Sequence, residues 1–316
     1  MSRIVIALGG NALQANPKDT TAEAQLVTAR QTSEAIVDLI EEGHEVIVAH
    51  GNGPQVGQLV ATYEAAASIH QNSPILPFPE CGAMSQGYIG YHLQQSIRAE
   101  MRKRGINKEV ATVITQVVVD INDPGFKNPT KPVGSFFTEE QAKKLMTEKG
   151  YIMKEDSNRG WRRVVASPIP KEIVEESIIK TLVDAGHIVI TVGGGGIPVI
   201  DRGDGNLEGV PAVIDKDFAS SKIAELLNAD VFVILTAVEQ VAINFGTPNQ
   251  ENLSKITVEE AKTYIEEGQF APGSMLPKVK AALTFVEGKP GRMVVITSLE
   301  KAKEAIKGIA GTAITI

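Results

Sequence analysis

Near its start the chain reads Ile4-Val5-Ile6-Ala7-Leu8 and then Gly9-Gly10-Asn11. Five apolar residues in a row, without polar alternation, describe a strand buried on both faces, and such strands belong to parallel sheets covered by helices. A glycine turn at the carboxyl end of a strand of this kind is where parallel α/β sheets place their ligands. The pattern recurs. Strand candidates follow at 45–49, 110–115, 187–192, 231–236, 292–297 and 312–316, and helical periods fill the gaps at 21–42, 55–67, 83–104, 171–185, 216–228, 258–267 and 275–287. This alternation predicts an α/β fold: a three-layer αβα sandwich around a mostly parallel open sheet.

One segment breaks the alternation. Residues 121–165 carry Asp123-Pro124-Gly125, Asn128-Pro129-Thr130-Lys131-Pro132 and a basic-aromatic cluster, Arg159-Gly160-Trp161-Arg162-Arg163, around a short helix at 139–149. An excursion of this length with its own helix is expected to be a small protruding subdomain or lid. Trp161 is expected as its packing anchor, and Lys131, held between Pro129 and Pro132, as an aimed side chain. A second boundary is expected at Pro168-Ile169-Pro170. The expected organisation is two lobes sharing one sheet: an N-terminal lobe of residues 1–120 and 166–185, a lid of residues 121–165, and a C-terminal lobe of residues 186–316.

With 316 residues, 43% hydrophobic and 22% charged, the chain has ample core for such a fold. A net charge of −7 and 5% aromatic residues argue against nucleic acid as a partner. Cys81 is the only cysteine, which excludes a disulfide framework and a cysteine-based zinc site and suits a reducing compartment. No apolar run approaches the ~20 residues of a membrane span, and the first strand gives way to Gly-Gly-Asn where a signal peptide would carry a cleavage site. A cytoplasmic location is expected, with no membrane contact.

Three glycine turns follow buried strands: Gly9-Gly10-Asn11, Gly51-Asn52-Gly53-Pro54 and Gly193-Gly194-Gly195-Gly196. Glycine there lets backbone approach an anion, and successive N–H groups form a nest for phosphate or carboxylate. Glycine also serves tight turns for steric reasons alone. The stretch Val213-Ile214-Asp215-Lys216-Asp217-Phe218-Ala219 sets a lysine between two aspartates at a helix start. At ~100° per residue Lys216 falls on the apolar stripe of Ala219, Ile223, Leu226 and Leu227, so it is aimed inward. A helix N-terminus and burial both oppose an ammonium, so an anion is expected to meet it. Asp217 supplies part of that charge, and Asp215 reads as the helix cap. In Met275-Leu276-Pro277-Lys278-Val279-Lys280, both Lys278 and Lys280 flank the apolar stripe, and the spacing does not choose between them.

Several chemistries are missing. No Gly-x-x-x-x-Gly-Lys-Ser/Thr occurs, and no His-Arg-Asp with Asp-Phe-Gly. Gly51-x-Gly53-x-x-x-Gly57 lacks the following strand with an acidic end that a nicotinamide site needs. The histidines have no metal-ligand spacing; His50, beside Gly51, is expected to make a structural hydrogen bond, and Ser85 sits in no nucleophile elbow. Tyr88 and Tyr91 read as core or subunit-contact residues. Lysines, aspartates and glycine nests without a general base fit phosphoryl transfer, where positioning and charge neutralisation do most of the work.

These residues resemble the carbamate kinases of the amino acid kinase family. The resemblance rests on residues 7–12, His50-Gly51-Asn52-Gly53-Pro54-Gln55-Val56-Gly57, residues 115–120, Lys127-Asn128-Pro129-Thr130-Lys131-Pro132, and residues 193–198, 213–220 and 270–278, and so spans nearly the whole chain. It implies reversible transfer between ATP with carbamate and ADP with carbamoyl phosphate, often run toward ATP in catabolism, with Mg²⁺ and a homodimer; no metal ligand is assigned. It implies that Gly9, Gly10, Asn11, Gly51, Asn52 and Gly53, with Gly194 and Gly195, hold the acceptor and the transferred phosphoryl group in the N-terminal lobe. Lys131 reaches over them from the lid, Lys216 and Lys278 neutralise phosphates, and Asp217 orients those lysines. The nucleotide would lie in the C-terminal lobe against Thr236, Ala237, Val238, Asn244, Met275 and Pro277. Thr236-Ala237-Val238-Glu239-Gln240 stands where Thr-Gly-Val-Asp-Tyr is common in the family, and Phe245 where Tyr is common. A kinase for another small carboxylate and a silent nucleotide sensor are the alternatives.

Overall fold

Residues 1–16, 19–70, 72–156 and 159–316 are described by the computed structural model. In the strand Arg3–Leu8, Ile4, Ile6 and Leu8 enter one apolar cluster while Val5 and Ala7 enter another, as the two-residue period of a strand dictates. Both clusters are buried, so the strand has helices on either face. One face is covered by the helices Ala22–Glu41, Phe78–Lys103 and Ala302–Ile306. The other is covered by Glu176–Asp184, Lys216–Leu226, Val258–Glu266 and Met275–Glu287. The result is the expected three-layer α/β arrangement.

Among the described residues the central sheet has eight strands, in the order Lys255–Thr257, Thr312–Thr315, Met293–Thr297, Val231–Leu235, Arg3–Leu8, Glu45–His50, Ile188–Thr191 and Val110–Thr112. Among these eight described strands, only the pairing of Met293–Thr297 with Thr312–Thr315 is antiparallel. The carboxyl ends of Arg3–Leu8, Glu45–His50, Ile188–Thr191, Val231–Leu235 and Met293–Thr297 therefore share one rim, where the glycine turns lie. No helix of the described residues is long and apolar enough to cross a membrane.

Two expectations about elements need correction. The helix expected over 171–185 is shorter, Glu176–Asp184, because Pro170–Ile173 forms a strand antiparallel to Gln116–Val119. That strand is the edge of a second, four-stranded sheet completed by Ile197–Asp201 and Leu207–Gly209, and an edge is where a strand tolerates proline. The strand expected over 110–115 ends at Thr112, and Gln116–Val119 crosses into this second sheet.

Residues 131–165 carry a three-stranded antiparallel sheet, Lys131–Phe137, Trp161–Val165 and Met153–Glu155, with the helix Glu139–Lys149 between its strands. Thr138 and Gln141 form a capping box at the start of that helix, and Gly150 ends it at φ 66°. The unit rests on the helix Gly53–Ile69. A Cβ on Gly57 would lie 2.2 Å from the backbone of Gly134, so the two chains touch backbone to backbone. Glu64 of the same helix accepts from Lys149 at 3.0 Å, from Arg163 at 3.4 Å and from the Tyr151 hydroxyl. Trp161 is half-buried opposite Phe137. Tyr88 is half-buried and donates to Gln25, whereas Tyr91 is 57% exposed.

Candidate active site

Asp217 is the centre of the charge at the rim. Asp215 caps the helix Lys216–Leu226 by accepting the Asp217 N–H at 2.9 Å, which sets Lys216 and Asp217 in the first turn. Asp217 is buried, and its two carboxylate oxygens each accept a lysine: Lys216 Nζ at 2.5 Å and Lys278 Nζ at 3.1 Å. Lys280 is exposed, so tertiary contact selects Lys278. Burial opposes ionisation of Asp217, but the two ammonium groups outweigh it and hold the carboxyl well below the usual range. Burial pushes the Lys216 ammonium down, with Lys278 adding to the effect against the pull of Asp217. Burial also opposes the charge on Lys278, yet Asp217 outweighs it and the group is raised.

Lys131 comes to the same place from the small subdomain. Its Nζ donates to the second oxygen of Asp215 at 2.6 Å, a pair that spans 84 positions of sequence. Asp215 is thus more than the helix cap expected of it, because it also carries the subdomain's lysine.

Two clefts open on the rim. The first, about 270 Å³, is lined by Gly9, Gly10, Thr236, Ala237 and Ser298 to Glu300. The second, about 260 Å³, is lined by Gly51, Asn52, Gly53, Lys131, Gly194 and Asp215, among others. Gly10, Lys216 and Lys278 line both. The lysine pair on Asp217 therefore stands where the clefts meet.

The glycines do different work. A Cβ on Gly9 would lie 2.7 Å from the Leu235 carbonyl, whereas Gly10 faces open space. Gly51 lets the Lys216 stem lie against the turn, since a Cβ there would be 3.2 Å from Lys216 Cδ. The third turn is closely packed: Cβ atoms on Gly193, Gly194 and Gly195 would meet His50, Asn52 and the Ile214 carbonyl at 2.5, 2.2 and 2.3 Å. Asn11 lies in the short helical turn Gly10–Ala12, and its side chain falls outside what is described.

Of the residues expected at the nucleotide, Thr236 and Ala237 line the first cleft, while Pro277 lines the second. Val238, Asn244 and Met275 line neither; Met275 packs against the apolar core, and the Asn244 N–H donates to Gln269 at 2.8 Å. Gly195 is likewise absent from both walls. Sequence reasoning missed Ser298, Leu299 and Glu300 on the first cleft, although they follow a predicted strand and the strand-end rule would have found them. Arg159, Arg162 and Asp156 line the second cleft. Arg162 donates to Asp156 at 3.3 Å and to the Gly134 carbonyl at 2.9 Å. Among the described residues no group of three or more His, Cys, Asp or Glu is placed to hold a metal ion.

The model of the amino acid kinase family matches residues 2–298. The chain is 60% identical over 312 residues to a carbamate kinase of Clostridium perfringens, covering 99% of both chains. It is 58% identical to the carbamate kinase-like protein YqeA of Escherichia coli, covering 99% of this chain and 98% of that one. Among solved structures, a carbamate kinase from Giardia lamblia bound to AMP-PNP is 42% identical with a TM-score of 0.89, covering 99% of this chain and 98% of that one. The chain belongs to the amino acid kinase family, among the carbamate kinases.

Proposed function

We propose that this protein catalyses reversible phosphoryl transfer between ATP and carbamate at the junction of the two clefts. The observation that carries this reading is the shared wall: Gly10, Lys216 and Lys278 border both clefts, so a group passing from one to the other travels beside two ammonium groups. In this reading the nucleotide occupies the first cleft, against Thr236 and Ala237, and the acceptor occupies the second, against Gly51 to Gly53. Residues 1–120 and 166–185 act as the acceptor lobe, residues 186–316 as the nucleotide lobe and residues 121–165 as a lid that carries Lys131.

A carboxylate oxygen of carbamate attacks the γ-phosphorus, and the bond from that phosphorus to the β,γ-bridging oxygen breaks as ADP leaves. Carbamate is already an anion, so no proton has to be removed and no general base is required. Lys216, Lys278 and Lys131 offset the charge spread over the transferring group. Asp217 keeps the first two lysines charged and aimed before ligand arrives. The nucleotide is taken as its Mg²⁺ complex. Magnesium prefers oxygen ligands and keeps much of its water, and both oxygens of Asp217 are engaged by lysines, so the phosphates are its natural ligands here. We further infer a cytoplasmic homodimer; the single, buried, free Cys81 suits a reducing compartment.

The test is ATP formation from ADP, Mg²⁺ and carbamoyl phosphate, run beside acetyl phosphate and acetylglutamyl phosphate. Carbamoyl phosphate should be strongly preferred. Turnover with another acyl phosphate alone would reassign the acceptor, and no turnover with any would overturn the reading.

A further inference from the structure

His50 ends the strand Glu45–His50 and is wholly buried immediately behind the second cleft. Its Nδ1 lies 2.9 Å from the Gly51 carbonyl oxygen. A carbonyl only accepts, so Nδ1 carries the proton and, in the neutral ring, Nε2 is bare. Among the described residues, Nε2 is buried without a hydrogen-bond partner. A buried acceptor left unpaired is costly, and an apolar side chain would avoid the cost. The ring must therefore be useful through its other nitrogen and through its shape.

The shape is matched by a glycine. A Cβ on Gly193 would stand 2.5 Å from Nε2 and 3.0 Å from Gln86 Cγ, so the imidazole occupies the place of a side chain there. Asn52 fits against Gly194 in the same way and donates to Ser85 at 2.8 Å. Behind these contacts, Gln86 donates to the Thr115 carbonyl at 3.0 Å and accepts its N–H at 2.8 Å, and the Thr115 hydroxyl oxygen accepts the Val192 N–H at 3.0 Å. Val192 holds φ 44°, a conformation that a β-branched residue adopts only when its surroundings impose it. The turn after Ile188–Thr191 is thus fixed from behind, and His50 rests on it.

We propose that His50 is a positioning residue whose Nδ1–H fixes the Gly51 carbonyl and whose ring, seated against Gly193, locks the acceptor turn to the glycine turn 193–196. A peptide unit is planar, so holding the Gly51 carbonyl also sets the direction of the Asn52 N–H in the wall of the second cleft. Gly51 also bears on the Lys216 stem, so a rotated Gly51 peptide displaces the acceptor turn and a phosphate-facing lysine together. This inference rests on the second cleft being the acceptor site.

The experiment compares His50→Leu, which fills the space without a donor, with His50→Asn, whose amide N–H reaches the Nδ1 position. His50→Leu should lower kcat about 10- to 100-fold and raise KM for carbamoyl phosphate by a larger factor than KM for ADP, and His50→Asn should recover to within about threefold of the wild type. Wild-type turnover by His50→Leu, or an Asn variant that folds normally and is equally impaired, overturns the proposal. Nitrogen-15 NMR of the wild-type imidazole near neutral pH decides independently of turnover. Protonated Nδ1 with bare Nε2 is expected, and the opposite tautomer overturns it. A wild type that makes no ATP refutes the functional reading, and the tautomer then still tests His50.

Discussion

Replacing Asp217 with asparagine removes the carboxylate that pairs with both Lys216 and Lys278 while keeping the shape of the side chain. The contacts of 2.5 and 3.1 Å to opposite oxygens of one carboxylate leave the two nitrogens close together. At a separation of roughly 6 Å and an effective dielectric of 20, their repulsion is about 3 kcal/mol. In the wild type the carboxylate offsets that repulsion. In the variant only the more distant Asp215 opposes it, and Lys216, already pushed downward by burial, is the group expected to give up its proton. Breaking a buried pair by removing one partner costs about 3–5 kcal/mol, so Asp217→Asn should lower the urea midpoint by that equivalent. ADP or inorganic phosphate should restore part of the loss, because phosphate oxygens take over the neutralising role, and the ligand-induced gain should be larger than in the wild type. Turnover should fall about 100-fold or more, since the lysines are no longer held charged and aimed. Stability within about 1 kcal/mol of wild type together with unchanged turnover would refute the reasoning, because that gap is smaller than any of the effects invoked.

Lys131→Ala should behave in the opposite way: its pair with Asp215 is partly exposed, so stability should change by less than about 1 kcal/mol, while turnover falls about 100-fold. Equal losses in stability and rate would show that Lys131 acts through the fold. Gly57→Ala should unseat the subdomain, because the new methyl would stand 2.2 Å from the Gly134 backbone and force the two chains apart. A loss of about 1–3 kcal/mol or more and faster proteolysis within residues 121–165 are expected, and a wild-type melting profile would contradict the packing described. His50 gives a pH signature. Burial lowers it from 6.5 to about 4 despite its hydrogen bond to Gly51, so between those values the unfolded chain binds a proton that the folded chain refuses. Stability is therefore undiminished above pH 6.5 and falls as pH drops toward 4, by about 3 kcal/mol in total from this group. Urea titrations of wild type and His50→Asn at several pH values should differ by this slope, and parallel curves would refute it.

The layered sheet and the place of Lys216 were legible because both follow from local periodicity: strands with no polar face, and a lysine whose helical phase coincides with Ala219 and Ile223. Periodicity did not give the seat of Lys278, which only the resemblance named, because Lys278 and Lys280 flank the same stripe two positions apart and the contact with Asp217, 61 residues away, distinguishes them. The Lys131–Asp215 pair was hidden for a similar reason, since it depends on how the subdomain seats on the helix Gly53–Ile69. Glycine is ambiguous in sequence: the turn 193–196 was read as a nest, and the steric demand that His50, Asn52 and the Ile214 carbonyl place on the same glycines was not legible. The second sheet escaped because its strands are short, and Pro170 at an edge looks like a linker. Ser298 to Glu300 carry no glycine to mark the rim they help form.

A crystal structure of this protein with Mg²⁺ and AMP-PNP tests the central claim most directly. The account predicts the triphosphate entering through the first cleft, with its γ-phosphate bracketed by the ammonium groups of Lys216 and Lys278 and facing Gly51 to Gly53. A γ-phosphate held away from that lysine pair, or a nucleotide bound outside the first cleft, would contradict it.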